Sequence, residues 1–232
     1  MRNLYVNYDV FSTSEINPLR RSGYNKLMME DQKQPLRSIQ PVVTVFSIHD
    51  QPSDFTYWQA QSYSVRLSTL EDIRSQYSIH SPAGGYIALS PDYREFIQSL
   101  NNNHVRYLVV GGYAVAIHGH PRFTKDMDIW IDLSPQNAEQ MVMALEQFGF
   151  TSLGLKSADF QVKDQIIQLG YPPNRIDIIT SLPGVEFNDC YETRLRIEVD
   201  GLNIDFIDLE NLRKNKKATG RHQDLADLEK ME

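Results

Sequence analysis

The chain has 232 residues, enough for one medium domain with an extension or for two small domains. Its apolar fraction of 41% and charged fraction of 23% are those of an ordinary globular protein and exclude a fibrous or wholly unfolded chain. A formal charge of −7 argues against a uniformly basic coat for non-specific nucleic-acid binding, and the single cysteine, Cys190, excludes an intrachain disulfide and any zinc site built from several thiolates.

No run approaches the roughly 18 to 20 uncharged apolar residues that a spanning helix needs, and the first residues lack a basic-then-apolar leader, so the expected location is cytoplasmic, with no membrane partner. Segment 1–41 mixes Asn, Ser, Gln, Arg and Tyr without sustained periodicity and reads as an irregular tail. Residues 42–90 read as a small strand and helix extension. Its β-branched run 42–48 predicts a strand, and Phe55, Trp58, Leu67, Leu70, Ile73 and Tyr77 recur at near-helical spacing over 54–79. Ser68 with Glu71 fits a capping box inside that stretch, and Ser81-Pro82-Ala83-Gly84-Gly85 reads as a linker to a main domain over 91–232.

From Ser90 the signals become regular. Ser90-Pro91 is an N-cap followed by a proline at the first helical position, and Tyr93, Phe96, Ile97 and Leu100 continue a helix over 91–102. Val105 to Val110 predicts a short buried strand, Gly111-Gly112 breaks it, and Tyr113 to Ile117 opens a second helix. Met127, Ile129 and Ile131 then alternate with Asp126, Asp128, Trp130 and Asp132, the period of two of a strand. Ser134-Pro135 starts a helix that runs through Met141, Val142, Leu145 and Phe148 to a stop at Gly149. Strands are predicted at 159–163, 165–169, 175–180, 194–199 and 202–207, the last two joined by Asp200-Gly201, and helices at 208–217 and 221–231. The expected fold class is α+β, an α/β mixed sheet with flanking helices.

Asp126 and Asp128, two apart on one strand, project to the same side about 6 to 7 Å apart, which suits them to share hard cations such as Mg2+. Phosphoryl transfer needs such a pair, because bound cations hold a triphosphate and stabilise departing pyrophosphate. A glycine pair at a strand end admits phosphate oxygens close to the backbone, and Gly111 with Gly112 supplies one; a plain tight turn explains the same pair. Lys216, Lys217 and Arg221 would place positive charge beside a triphosphate or an RNA acceptor, or else form a solvated helix face. Asp224 and Asp227 lie opposite Leu225 and Leu228, predicting one acidic and one apolar helix face, with structural packing or salt bridging to Arg221 as the role of the acids. His118 and His120 lack further His or Cys support and read as helix-end or loop residues.

In combination, an apolar strand, Gly111-Gly112, a helix, the Asp126-Met127-Asp128 strand and a further strand Arg175-Ile176-Asp177-Ile178-Ile179 resemble the DNA polymerase β superfamily of nucleotidyltransferases. More narrowly, Val110-Gly111-Gly112-Tyr113-Ala114-Val115-Ala116, Arg122-Phe123-Thr124-Lys125-Asp126-Met127-Asp128 and Gly220-Arg221-His222-Gln223-Asp224-Leu225-Ala226-Asp227-Leu228-Glu229 look like the bacterial nucleotidyltransferases related to abortive-infection (AbiEii-type) toxins. That resemblance spans roughly 91–232. It implies a polymerase-β-like fold and Mg2+-dependent transfer of a nucleoside monophosphate from a nucleoside triphosphate such as ATP. The implied acceptor is a tRNA 3′ end or a protein side chain, and the setting is toxin–antitoxin or phage defence with a cognate toxin or antitoxin as partner.

By the same resemblance Asp126 and Asp128 would be catalytic metal ligands, and Asp177 would join the metal and assist deprotonation of the acceptor hydroxyl. Asp205, in Asn203-Ile204-Asp205-Phe206-Ile207, competes with Asp177 for that third position. Arg122 and Thr124 match related families in which they lie near the pocket; a surface turn held by a Thr hydroxyl is the plainer account. Two further readings stay open. One is the same fold as a catalytically silent binding or regulatory module acting through a protein partner. The other is an unrelated α/β protein with coincidental aspartates.

Overall fold

The computed structural model describes residues 39–50, 54–66, 89–120, 122, 124, 126–171, 174–199 and 201–231, all within one compact unit, Ser38–Glu232. Most of the tail, the capping box at Ser68 and the linker at 81–85 lie outside the described residues. Ile39, which the sequence places in the irregular tail, is a core residue 1% exposed, and its amide donates to Asp92 Oδ2 at 3.1 Å.

The strands are β1 (Val43–Ser47), β2 (Tyr107–Val109), β3 (Asp126–Ile131), β4 (Gln165–Tyr171), β5 (Asn174–Ile179), β6 (Leu195–Val199) and β7 (Leu202–Phe206). The helices are α1 (Asp54–Ala60), α2 (Pro91–Asn102), α3 (Gly111–Ile117), α4 (Pro135–Gln147), α5 (Phe187–Glu192), α6 (Leu209–Thr219) and α7 (His222–Met231). The strands form one mixed sheet in the order β1-β4-β5-β3-β2-β7-β6, so the mixed α/β architecture read from the sequence is the one observed. β3 pairs in parallel with β5, and β2 in parallel with β7; the other neighbouring pairs are antiparallel. The strand expected at 42–48 is β1, which joins the main sheet along β4.

Local chemistry explains the best-defined elements. Ser90 Oγ accepts from Tyr93 N at 3.2 Å and Pro91 supplies a preset φ, so α2 starts where expected. Its inward face carries Tyr93, Phe96, Ile97 and Leu100. Ser134 and Pro135 repeat the device at α4, which buries Ala138, Met141, Ala144 and Leu145. Phe96 and Phe148 meet edge to face with centroids 5.1 Å apart, an arrangement the ring quadrupoles favour. Met127, Ile129 and Ile131, the apolar side of β3, are fully buried in the same core.

The structure corrects one predicted strand, adds one helix and shows which face of the last helix is inside. Residues 159–163 do not form a strand: Ser157–Phe160 is a 3-10 helix, opened by Asp159 Oδ2 accepting from Lys156 N at 2.8 Å. A local side chain to backbone bond of this kind competes with strand pairing, and Phe160 is the one buried side chain the segment offers. Helix α5 was missed because six residues with one buried position, Cys190, carry too little periodicity to register. On α7 the acidic face points inward: Asp224 and Asp227 are 5% and 0% exposed, whereas Leu225 is 47% exposed.

The inward acids are held by Lys216 on α6. Its Nζ is buried and stands 2.9 Å from Asp224 and 2.7 Å from Asp227. Arg221 holds Asp224 from the other side at 2.9 Å, as expected, and Arg122 holds Asp227 at 2.9 Å. These contacts keep the Asp227 carboxyl below the usual carboxylate range despite its burial. Buried ions must be paired, so the charge pattern overrides apolar periodicity here. Replacing the cation by an isosteric apolar side chain, Lys216→Met, is expected to cost roughly 3 kcal/mol of stability in urea unfolding. A loss below about 1 kcal/mol, the range of a surface ion pair, would contradict a buried role.

Candidate active site

The site begins with a register. Along the parallel pair, Asp126 lies opposite Arg175 and Asp128 opposite Asp177, and β4 places Gln168 opposite Asp177. Directly paired residues point to the same face of a sheet, and residues two apart share a face. Asp126, Asp128, Arg175, Asp177 and Gln168 therefore converge on one face. Asp177 belongs with the β3 acids by this pairing. Asp205 lies on β7, separated from β3 by β2, and is clamped by Arg194 at 3.0 Å and Arg196 at 2.6 Å.

Within the cluster the guanidinium of Arg175 spans two acids. Its Nε donates to Asp177 Oδ1 at 2.8 Å, and its Nη2 donates to Asp177 Oδ2 at 3.0 Å and to Asp126 Oδ2 at 2.6 Å. Gln168 Nε2 adds a bond to Asp177 Oδ2 at 3.3 Å. Sequence reasoning gave Arg175 no role. The available signal was its position two residues before Asp177, which puts both on one side of β5.

Gly111 and Gly112 have a steric duty. A Cβ on Gly111, whose φ is +60°, would overlap the Asp128 carboxylate, and one on Gly112 would come within 2.6 Å of Thr124 Oγ1. The glycine pair thus lets the start of α3 lie directly against the acid-bearing strand, and Val110 N donates to Asp128 O at 3.0 Å to fix the approach. Thr124 Oγ1 donates to Asp126 Oδ1 at 2.9 Å and orients that carboxylate.

Crowding of like charges shows in the acid strengths. Burial first, then the charges of Asp126 and Asp177, push Asp128 well above the usual carboxylate range, against the opposing pull of Arg175 and Arg221. Burial also raises Asp177, to about 6, although Arg175 works against the shift. Two phenols flank the cluster: Tyr93 Oη donates to Arg175 O at 3.1 Å, and its ring meets Tyr113 edge to face at 5.8 Å. Burial first, and then the charge of Asp126, raise both phenols.

Of the basic residues named from sequence, Arg221 acts on Asp128 and is mostly exposed, whereas Lys216 is enclosed by Asp224 and Asp227. Lys217 is exposed on α6, and Arg122 is engaged with Asp227. His118 closes α3 through a 2.9 Å contact between Nε2 and Ile207 O, a helix-end role. A cavity of about 920 Å3 lies beyond the acids, past the far ends of β3 and β5, lined by Trp130, Thr180, Phe187 and Lys214 among others.

Three carboxylates on adjacent strands are the right donor chemistry for a hard divalent cation, and Gly111 lets the Asp128 carboxylate pack against the start of α3. As they stand, no three His, Cys, Asp or Glu side chains among the described residues close around a metal position. Arg175 spans Asp126 and Asp177.

Residues 91–232, more than half of the chain, match the model of the family described as nucleotidyltransferase of unknown function (DUF6036), and the chain belongs to that family. Among solved structures it is similar to a candidate nucleotidyltransferase from Thermotoga maritima, at 17% identity and a TM-score of 0.41, covering 63% of this chain and 96% of that one. It is also similar to an antigenic nucleotidyltransferase-like protein from Paracoccidioides brasiliensis, at 17% identity and a TM-score of 0.39, covering 62% and 77%. None of the curated proteins matches. No helix among the described residues is long and apolar enough to cross a membrane.

A carboxyl whose folded pKa is raised stabilises the fold below its unfolded value near 4 and loses that contribution as pH rises through the folded value. For Asp177 the window runs from about 4 to about 6, and for Asp128 it extends upward from the same starting point. In metal-free buffer Asp128→Asn is therefore expected to raise the melting temperature at pH 7.5 by roughly 3 °C. The gain should vanish near pH 4. Thermal melts of both proteins across this range check it; a variant less stable than wild type at pH 7.5 would refute the repulsion.

Proposed function

We propose that the chain is a Mg2+-dependent nucleotidyltransferase that moves a nucleoside monophosphate from a nucleoside triphosphate to an acceptor hydroxyl. The observation that carries this reading is the register that sets Asp128 beside Asp177 and Asp126 on one face, against the Gly111-Gly112 junction. Asp126, Asp128 and Asp177 would hold Mg2+, which when bound draws charge from the triphosphate and stabilises departing pyrophosphate. Thr124 holds Asp126 in orientation, and Arg221, whose charge reaches Asp128, would meet the triphosphate oxygens with Lys217 adding positive charge. In the transfer the acceptor oxygen bonds to the α-phosphorus, the bond to the bridging oxygen breaks, and pyrophosphate leaves. Asp177 takes the hydroxyl proton.

The resemblance to the AbiEii-type enzymes supports a tRNA 3′ end or a protein side chain as acceptor, with a cognate toxin or antitoxin as partner and a cytoplasmic setting. A second reading, a catalytically silent binding module, draws on Arg175, whose guanidinium occupies the acid cluster. Incubation with each labelled nucleoside triphosphate, Mg2+, total tRNA and cell lysate separates the two. Label is expected in RNA or protein with wild type, with a loss of at least about 1000-fold for Asp128→Ala, the scale of removing a main electrostatic stabiliser. No label on any acceptor with folded wild type would favour the silent module.

A further inference from the structure

The acid cluster contains its own cation. Asp126 Oδ2 and Asp177 Oδ2 both accept from one atom, Arg175 Nη2, at 2.6 and 3.0 Å, and Nε secures Asp177 Oδ1 at 2.8 Å. The side chain is 4% exposed, so solvent screens these contacts little. A guanidinium is planar, always charged and matched to bridging carboxylates, so this is a strong arrangement. It also engages oxygens that a divalent cation would use. A hard cation sits about 2.1 Å from its ligand oxygens, and placing one on Asp126 and Asp177 would bring it into close repulsion with Nη2.

We infer that Arg175 is a built-in counter-ion that holds the carboxylates in place in the metal-free protein and must leave Asp126 before a divalent cation binds, so that it sets the affinity of the site for metal. This rests on the reading of Asp126, Asp128 and Asp177 as the cation site. Arg175 is a positioning residue: it acts by holding the two acids, on a backbone fixed by the β3–β5 register. Without it the three acids would face one another on one sheet face, where burial first and then their mutual charge already raise Asp128 and Asp177.

The test uses the full-length chain with Mn2+ alone as the probe, titrated by calorimetry with melting temperatures recorded in parallel. Arg175→Gln keeps an amide of moderate size but removes the charge. It is expected to melt lower than wild type in metal-free buffer, to bind Mn2+ roughly fivefold or more tightly, and to gain more in melting temperature on Mn2+ addition. A merely structural arginine would lower the melting temperature without tightening Mn2+. Arg175→Lys, which keeps the charge but cannot span both acids, is expected to fall between the two. Folded Arg175→Gln or Arg175→Lys that binds Mn2+ no tighter than wild type overturns the inference while leaving the cation site standing. Should Arg175→Gln fold only when Mn2+ is added, that rescue supports it; should it stay unfolded, Arg175→Lys decides by the same affinity criterion. Mn2+ affinity in Asp128→Asn equal to wild type, or no Mn2+ binding by wild type and both arginine variants, overturns the cation site and the inference with it.

Discussion

The in-register pairing of β3 with β5 is the constraint on which the site depends. It sets Asp128 opposite Asp177 and Asp126 opposite Arg175. A slip of one residue would put Asp128 opposite an isoleucine and turn one strand's polar set into the core. The apolar side of the same strands, Met127, Ile129, Ile131, Ile176 and Ile178, is buried without exposure above 0%, so burial on one face enforces the arrangement on the other. Hydrophobic patterning thereby pins the acids together against their mutual repulsion.

A second charged assembly stands behind the first. Lys216, Asp224, Asp227, Arg122 and Arg221 tie α6 and α7 to the segment leading into β3. The same segment carries Thr124, which orients Asp126, and the same turn carries Arg221, whose charge reaches Asp128. The C-terminal helices are thus fastened by ion pairs next to the acids. Of the basic residues at this end, Lys216 is buried between two carboxylates, and Arg221 is mostly exposed while paired with Asp224.

Much of the fold was legible in the sequence because its strongest signals are local. Serine and proline starts at 90–91 and 134–135, alternation along β3 and the break at Gly111 each act within a few residues, and each element forms where they point. Asp126 and Asp128 were legible as neighbours for the same reason. Their link to Asp177 depends on strand order, which places β5 beside β3 and β7 beyond β2, and no spacing along the chain distinguishes Asp177 from Asp205. The role of Arg175 is likewise a matter of register across strands. That the acids of α7 face inward is a matter of tertiary contact, because a buried lysine on another helix, eight residues before Asp224, pairs with them.

The central claim is that these three carboxylates are a cation and nucleotide site. It is tested most directly by the anomalous diffraction of crystals grown with Mn2+ and a non-hydrolysable nucleoside triphosphate. The account expects a manganese peak at coordination distance from Asp126 and Asp128, with triphosphate density between it and the start of α3 and with Arg175 withdrawn from Asp126. Crystals with the nucleotide bound elsewhere, or with Arg175 still spanning Asp126 and Asp177 and no manganese beside them, would contradict it.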